Sequence, residues 1–127
     1  MNQSGKEGAL AKAFEKQVQD NGDPDIRYIG FDFHHKCKNM QYENLSFLIQ
    51  DVQGDLQHME YFSAEVTGDP REDSLALKTL TMQKAVFRTN CMDSLDRTNV
   101  VQSVLARTVL LAQFQTLGVS ASNGKVF

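Results

Sequence analysis

One change of period constrains this chain more than any other feature, and it falls between Lys84 and Gly118. "KAVFRT", Lys84 to Thr89, reads as a strand, "NCMDSLD", Asn90 to Asp96, has no period, and Val101, Val104, Leu105, Thr108, Leu111 and Phe114 then recur at helical spacing. Gly118 suits the residue just past such a helix, because only glycine enters the left-handed region without cost. A strand that passes through a tight loop into a helix is where α/β folds place their ligand sites.

Upstream, Leu10, Ala13, Phe14 and Gln17/Val18 mark a first helix, which "DNGDP" at Asp20 to Pro24 stops. In "RYIGFDFHH", Ile29, Phe31 and Phe33 alternate with Tyr28, Gly30 and Asp32, which predicts a buried strand ending near His34. From Asn44 to Phe62 the residues Leu45, Leu48, Ile49, Val52, Leu56, Met59 and Phe62 predict a second helix despite Gly54. Tyr61 to Val66 reads as a short strand, "TGDPRED" as a turn, and the segment through Thr81 carries little pattern. The expected architecture is α/β, with a mixed or parallel sheet flanked by helices and a strand–loop–helix active site. "SASNGK", Ser120 to Lys125, reads as a frayed tail.

Charge narrows the function. The net charge of −3 argues against a nucleic-acid binder, which would show a basic excess. Lys84 to Arg107 nevertheless holds four basic and two acidic residues, a local +2 against −5 for the remainder, as an anion site would. Cys37 and Cys91 do not make a disulfide framework, so the thiols read as free and the compartment as reducing. No apolar run approaches the roughly 18 residues needed to cross a bilayer, and no N-terminal address is recognisable.

The chemistry lies in the spacing of Cys91 and Arg97. A thiol becomes a good nucleophile once its pKa falls, and a helix N-terminus beside an arginine supplies the positive potential that lowers it. Five residues between the two side chains let successive backbone N–H groups converge on phosphate oxygens, while Arg97 clamps two of them and stabilises the charge that builds in the transition state. The bare spacing arises by chance for about 4% of cysteines at this arginine content, so the flanks decide. The strand pattern before Cys91, the helical pattern after Arg97 and the hydroxyl of Thr98 all agree, whereas Cys37 has Glu43 at the same offset.

"FRTNCMDSLDRTNVVQSVLAR", Phe87 to Arg107, closely resembles the R-x-N-C-x-D-C-L-D-R-T-N signature of the Sac-domain phosphoinositide phosphatases. "RYIGFDFHHKCKNM", Arg27 to Met40, and "NQSG", Asn2 to Gly5, are similar to stretches of the endoplasmic reticulum and Golgi branch. The resemblance implies that residues 1–119 are the C-terminal portion of a Sac catalytic domain, with 120–127 a flexible tail. It implies hydrolysis of phosphatidylinositol 4-phosphate at the cytosolic face of that membrane, without cofactor or metal. Cys91 would form a phosphocysteine that water hydrolyses, Arg97 would clamp the phosphate, and Met92, Asp93, Ser94, Leu95, Asp96, Arg97 and Thr98 would cradle it. Ser94 stands where the family usually has a second cysteine, a departure expected to lower activity at most. The family's domain is several times longer, and its branch carries C-terminal membrane helices that this sequence does not encode.

A leaving inositol alkoxide needs a proton, and Asp93 and Asp96 are the nearest candidates, Asp93 as acid or water activator and Asp96 as a brace, with Asp32 and His34 in reserve. His34, His35 and Cys37 match no structural zinc pattern and lack a fourth ligand. The cluster His34, His35, Lys36 and Lys38 suits either a lipid headgroup or a solvated turn. Two other functions remain open: a phosphotyrosine phosphatase using the same loop, and a non-catalytic fragment that binds phosphoinositide or merely assists a full-length enzyme without activity of its own.

Overall fold

The computed structural model describes residues 5–68, 71 and 75–119, and these fall into two compact units, residues up to 50 with those from 89 onward, and residues 51–88. The expected tail at 120–127 and the "NQS" of Asn2 to Ser4 lie outside the described residues.

The first unit opens with helix α1, Gly5–Asn21. Its buried side is Glu7, Gly8 and Ala11, one step around from the Leu10–Ala13–Phe14 stripe that the sequence suggests, and Leu10 is 54% exposed. The Phe14 ring rests against Tyr28 at 5.7 Å. Gly22, with φ +65°, turns the chain out of the helix.

The predicted strand at Ile29 to His34 does not form. A strand exists through the ladder that a neighbour completes, and among the described residues no segment pairs with it. Asp32 instead accepts the His35 N–H at 3.0 Å and caps a short helix α2, Phe33–Lys36. Phe31 and Cys37 are buried on either side of that turn. Two 3₁₀ turns, Lys38–Met40 and Tyr42–Asn44, lead into helix α3, Leu45–Met59, which begins in this unit with Leu45 and Leu48 buried.

Helix α4, Asp96–Thr116, follows the cysteine loop as expected, with Thr98 and Leu105 buried and Val101, Val104, Thr108 and Phe114 half-buried on one side. It ends in a Schellman motif: Gly118 N–H donates to the Gln115 carbonyl at 3.1 Å and Val119 N–H to the Phe114 carbonyl at 2.9 Å, with Gly118 at φ +68°.

The second unit holds the end of α3, where Val52 is 2% exposed, and a hairpin. The helix stops at Met59 rather than Phe62 because Glu60 takes a left-handed φ of 54°. Strand β1, Ser63–Thr67, pairs antiparallel with β2, Ala76–Thr81, and a register shift lies between Ser63 and Ala64. Thr81 anchors the open end, its hydroxyl donating to the Tyr61 carbonyl at 2.6 Å and meeting Ser63 Oγ at 2.7 Å. Lys84 closes the unit through its N–H on the Met59 carbonyl, 2.8 Å, and its ammonium on Glu60, 3.1 Å.

The expected mixed or parallel sheet is therefore corrected to a two-stranded antiparallel one among the described residues. Lys84 to Thr89 belongs to no strand, and "strand–loop–helix" becomes irregular segment, loop and helix. Val86 is 78% exposed, so among the described residues its β-forming side chain has no facing layer to pack against.

Candidate active site

The loop from Asn90 to Leu95 folds around one side chain. Cys91 is 7% exposed, and Thr98, in the first turn of α4, touches it twice. The Thr98 hydroxyl accepts the Cys91 N–H at 3.1 Å and donates to Cys91 Sγ at 3.3 Å. The thiol in turn donates to Asp93 Oδ1 at 3.0 Å, and the same oxygen accepts the Leu95 N–H at 3.2 Å. Ser94, between them, has φ +53°, a left-handed conformation that costs a non-glycine residue about 1 kcal/mol or more. That turn brings Leu95 back over the sulfur.

Opposing influences set the thiol's acidity. Burial pushes it up most strongly, the Thr98 hydroxyl pulls it down, the Asp93 carboxylate pushes it up, and the N–H groups of Leu95 and Thr98 pull it down. The net effect is a Cys91 pKa below the ordinary 9.0. Cys37 goes the other way, raised by burial and by Glu43. Asp93 lies below its ordinary 3.8, held there by the Cys91 thiol and the Leu95 N–H, and so is a carboxylate at neutral pH.

Arg97, the second residue of α4, carries a partner that the sequence pattern did not reveal. Its two terminal nitrogens donate to the two oxygens of Glu7, Nη1 at 3.2 Å and Nη2 at 3.0 Å. The Glu7 side chain is 8% exposed and that of Arg97 26%. The Glu7 carboxylate raises the Arg97 pKa against the lowering by burial.

Many relatives align with nearly the whole chain, the following three among them. Phosphatidylinositol-3-phosphatase SAC1-A of Danio rerio is 41% identical over 119 residues, 94% of this chain and 19% of the relative. Phosphatidylinositol-3-phosphatase SAC1 of Drosophila melanogaster is 38% identical over 126 residues, 99% of this chain and 20% of the relative. Phosphatidylinositide phosphatase SAC2 of Danio rerio is 34% identical over 119 residues, 94% of this chain and 10% of the relative. The chain belongs to the Sac phosphoinositide phosphatase family. It spans a fifth or less of the length of these Sac relatives and is a fragment of a Sac domain. No family model and no solved structure matches it.

Of the candidate residues in this Sac segment, Cys91, Asp93 and Thr98 meet in one hydrogen-bonded cluster. Met92 and Leu95 are each 59% exposed, and Asp96 is exposed as the first residue of α4, where its charge complements the helix dipole. Asp32 caps α2, and His34 lies on that short helix. Among the described residues no three His, Cys, Asp or Glu side chains converge. Glu7 was missed because an isolated glutamate early in a helix reads as a solvated dipole partner. Its one sequence signal is its place four residues before Ala11, on the side of α1 that is buried.

Thr98→Val tests the sulfur's environment directly. It removes the largest of the influences that lower the thiol, so the pH of half-maximal alkylation by iodoacetamide moves upward. The sign follows because the hydroxyl donates to the sulfur and favours its charged form. An unchanged or lowered midpoint for Cys91, read by peptide mass spectrometry, would contradict the assigned geometry.

Proposed function

We propose that this segment carries the nucleophile of a phosphatase that removes a phosphate monoester from phosphatidylinositol phosphates at a membrane surface, phosphatidylinositol 4-phosphate among them. The observation that carries the reading is the Cys91 sulfur, buried at the start of α4 with a hydroxyl and two backbone N–H groups turned toward it and its pKa lowered. Helix N-termini and converging amides favour an anion, first the thiolate and then the phosphoryl group.

In this proposal the Cys91 thiol passes its proton to Asp93, and the sulfur attacks phosphorus as the bond to the inositol oxygen breaks. Asp93, then protonated, returns that proton to the leaving alkoxide. In the second half a water attacks the phosphocysteine, Asp93 takes the water's proton, and inorganic phosphate leaves with the thiol restored. Arg97 stabilises the transferring group, and Asp96 braces the helix start. The placement at the cytosolic face of the endoplasmic reticulum and Golgi rests on the family resemblance; among the described residues no helix is long and apolar enough to cross a membrane.

The Danio rerio SAC1-A and Drosophila melanogaster SAC1 relatives are named for the 3-phosphate, so the test uses both isomers. The purified chain is given water-soluble phosphatidylinositol 3- and 4-phosphate, and phosphate release is followed beside circular dichroism. Release from the 4-phosphate is expected, with a phosphorylated Cys91 recovered after rapid quenching. Release from the 3-phosphate alone would remove the 4-phosphate assignment. A folded chain that releases phosphate from neither would replace catalysis with phosphoinositide binding alone.

A further inference from the structure

A recess of about 500 Å³ opens beside Arg97, and its other walls come from the end of the failed strand and the turns after it: Phe33, His34, Cys37, Lys38, Asn39 and Tyr42. Resting on the function proposed above, we infer that this recess receives the inositol ring of the substrate, while the phosphate to be removed sits in the Cys91 loop.

Three features support this assignment. The first is position, because Arg97 stands at the start of α4 directly after the loop and is also a wall of the recess, so one ligand can engage both. The second is wall chemistry. Lys38 brings positive charge beside the Glu7-paired Arg97, as a ring bearing further phosphate groups requires, and His34 and Asn39 bring hydrogen-bonding groups suited to ring hydroxyls. Phe33 and Tyr42 pack against each other with ring centroids 6.3 Å apart, which forms an apolar side for the ring's C–H face.

The third feature is that the segment is shaped at some cost. Asn39 has φ 56° and ψ 36°, left-handed, in the turn that carries Lys38. Asn44 Nδ2 donates to the Lys36 carbonyl at 2.6 Å and ties the segment to the start of α3. Lys36, by contrast, lies over the Phe31 ring at 5.2 Å and the Phe47 ring at 5.9 Å, and does not line the recess. The volume is in the range of small-molecule sites, about 300–1,000 Å³, and exceeds what a lone phosphate fills.

The recess is a specificity wall, and it separates substrates by what they carry beyond the phosphate. The full Cys91→Ser chain, labelled with ¹⁵N, is titrated with inorganic phosphate, with inositol 1,4-bisphosphate as the headgroup, and with phosphotyrosine. All three should shift the amides of the loop at 91–98, and only the headgroup should also shift those of 33–42. Lys38→Met in the same background should weaken headgroup binding about tenfold, the loss of one charge-assisted contact, and leave inorganic phosphate within twofold. Tyr42→Ala should weaken the headgroup alone in the same way. Because Tyr42 is 47% exposed and Lys38 is also exposed, both variants should keep the parent spectrum.

Headgroup shifts confined to 91–98, or headgroup affinity unchanged by both substitutions, would overturn the recess while leaving the loop's function standing. Phosphotyrosine that shifts 33–42 and loses affinity with Lys38→Met would overturn the inositol assignment. No shift in the loop with any of the three would overturn this inference and the function beneath it together.

Discussion

If the proposed function holds, Cys91→Ser will reduce phosphate release by at least about a thousandfold, roughly 4 kcal/mol of transition-state stabilisation, without unfolding the chain. The hydrogen-bonding cluster that lowers the Cys91 thiol is matched to a group that ionises near 9.0. A serine hydroxyl ionises many units higher, and one hydroxyl donor with two backbone N–H groups cannot close that gap. Packing changes little, since the serine oxygen can keep both the Thr98 and the Asp93 contacts. Cys37→Ala serves as the control. Cys37 borders the recess beside Arg97, but burial and Glu43 raise its pKa, so its loss should cost release far less than the loss of Cys91 at equal folded fraction. Retention of more than a tenth of the release by Cys91→Ser, or its loss in a folded Cys37→Ala, would move the nucleophile away from Cys91. Both rates are read beside circular dichroism and a thermal midpoint.

The helices and the loop were legible because their information is local. The 3.6-residue pattern from Val101 to Phe114, the glycine at 118 and the hydroxyl at 98 each act within a few residues, and each appears where expected. The two failed strands, at Ile29 to His34 and Lys84 to Thr89, show the opposite case. Alternation states which face of a strand would be buried, but the ladder partner lies elsewhere in sequence, and without one the Asp32 cap turns the chain into α2. The β1–β2 hairpin forms because its partners are close in sequence, even though Val66, Leu77 and Leu80 remain more than half exposed. Glu7 was invisible for the same reason as the missing ladders: its partner, Arg97, is 90 residues away. The recess had a faint local trace in the basic residues after Phe33, of which only His34 and Lys38 face it.

Glu7→Gln will lower the chain's stability by about 2–3 kcal/mol and its turnover by one to two orders of magnitude. The stability loss follows from burial, because a carboxylate that is 8% exposed is compensated by the guanidinium, and an amide satisfies that charge only in part. The catalytic loss follows from geometry. A guanidinium has five N–H groups arranged in bidentate edges. Glu7 occupies the terminal edge with both oxygens, so a phosphate gripped at the same time must use the edge formed by Nε and one Nη. Glu7 would then be a positioning residue that fixes the plane of Arg97 relative to Cys91, and its loss should lower kcat more than it raises KM. Glu7→Asp, which keeps the charge but shortens the reach, should recover stability before it recovers kcat. The opposite outcome carries equal information. If Glu7→Gln raises turnover in a chain shown to be folded, Glu7 competes with phosphate for Arg97, and the buried ion pair restrains the site rather than organising it.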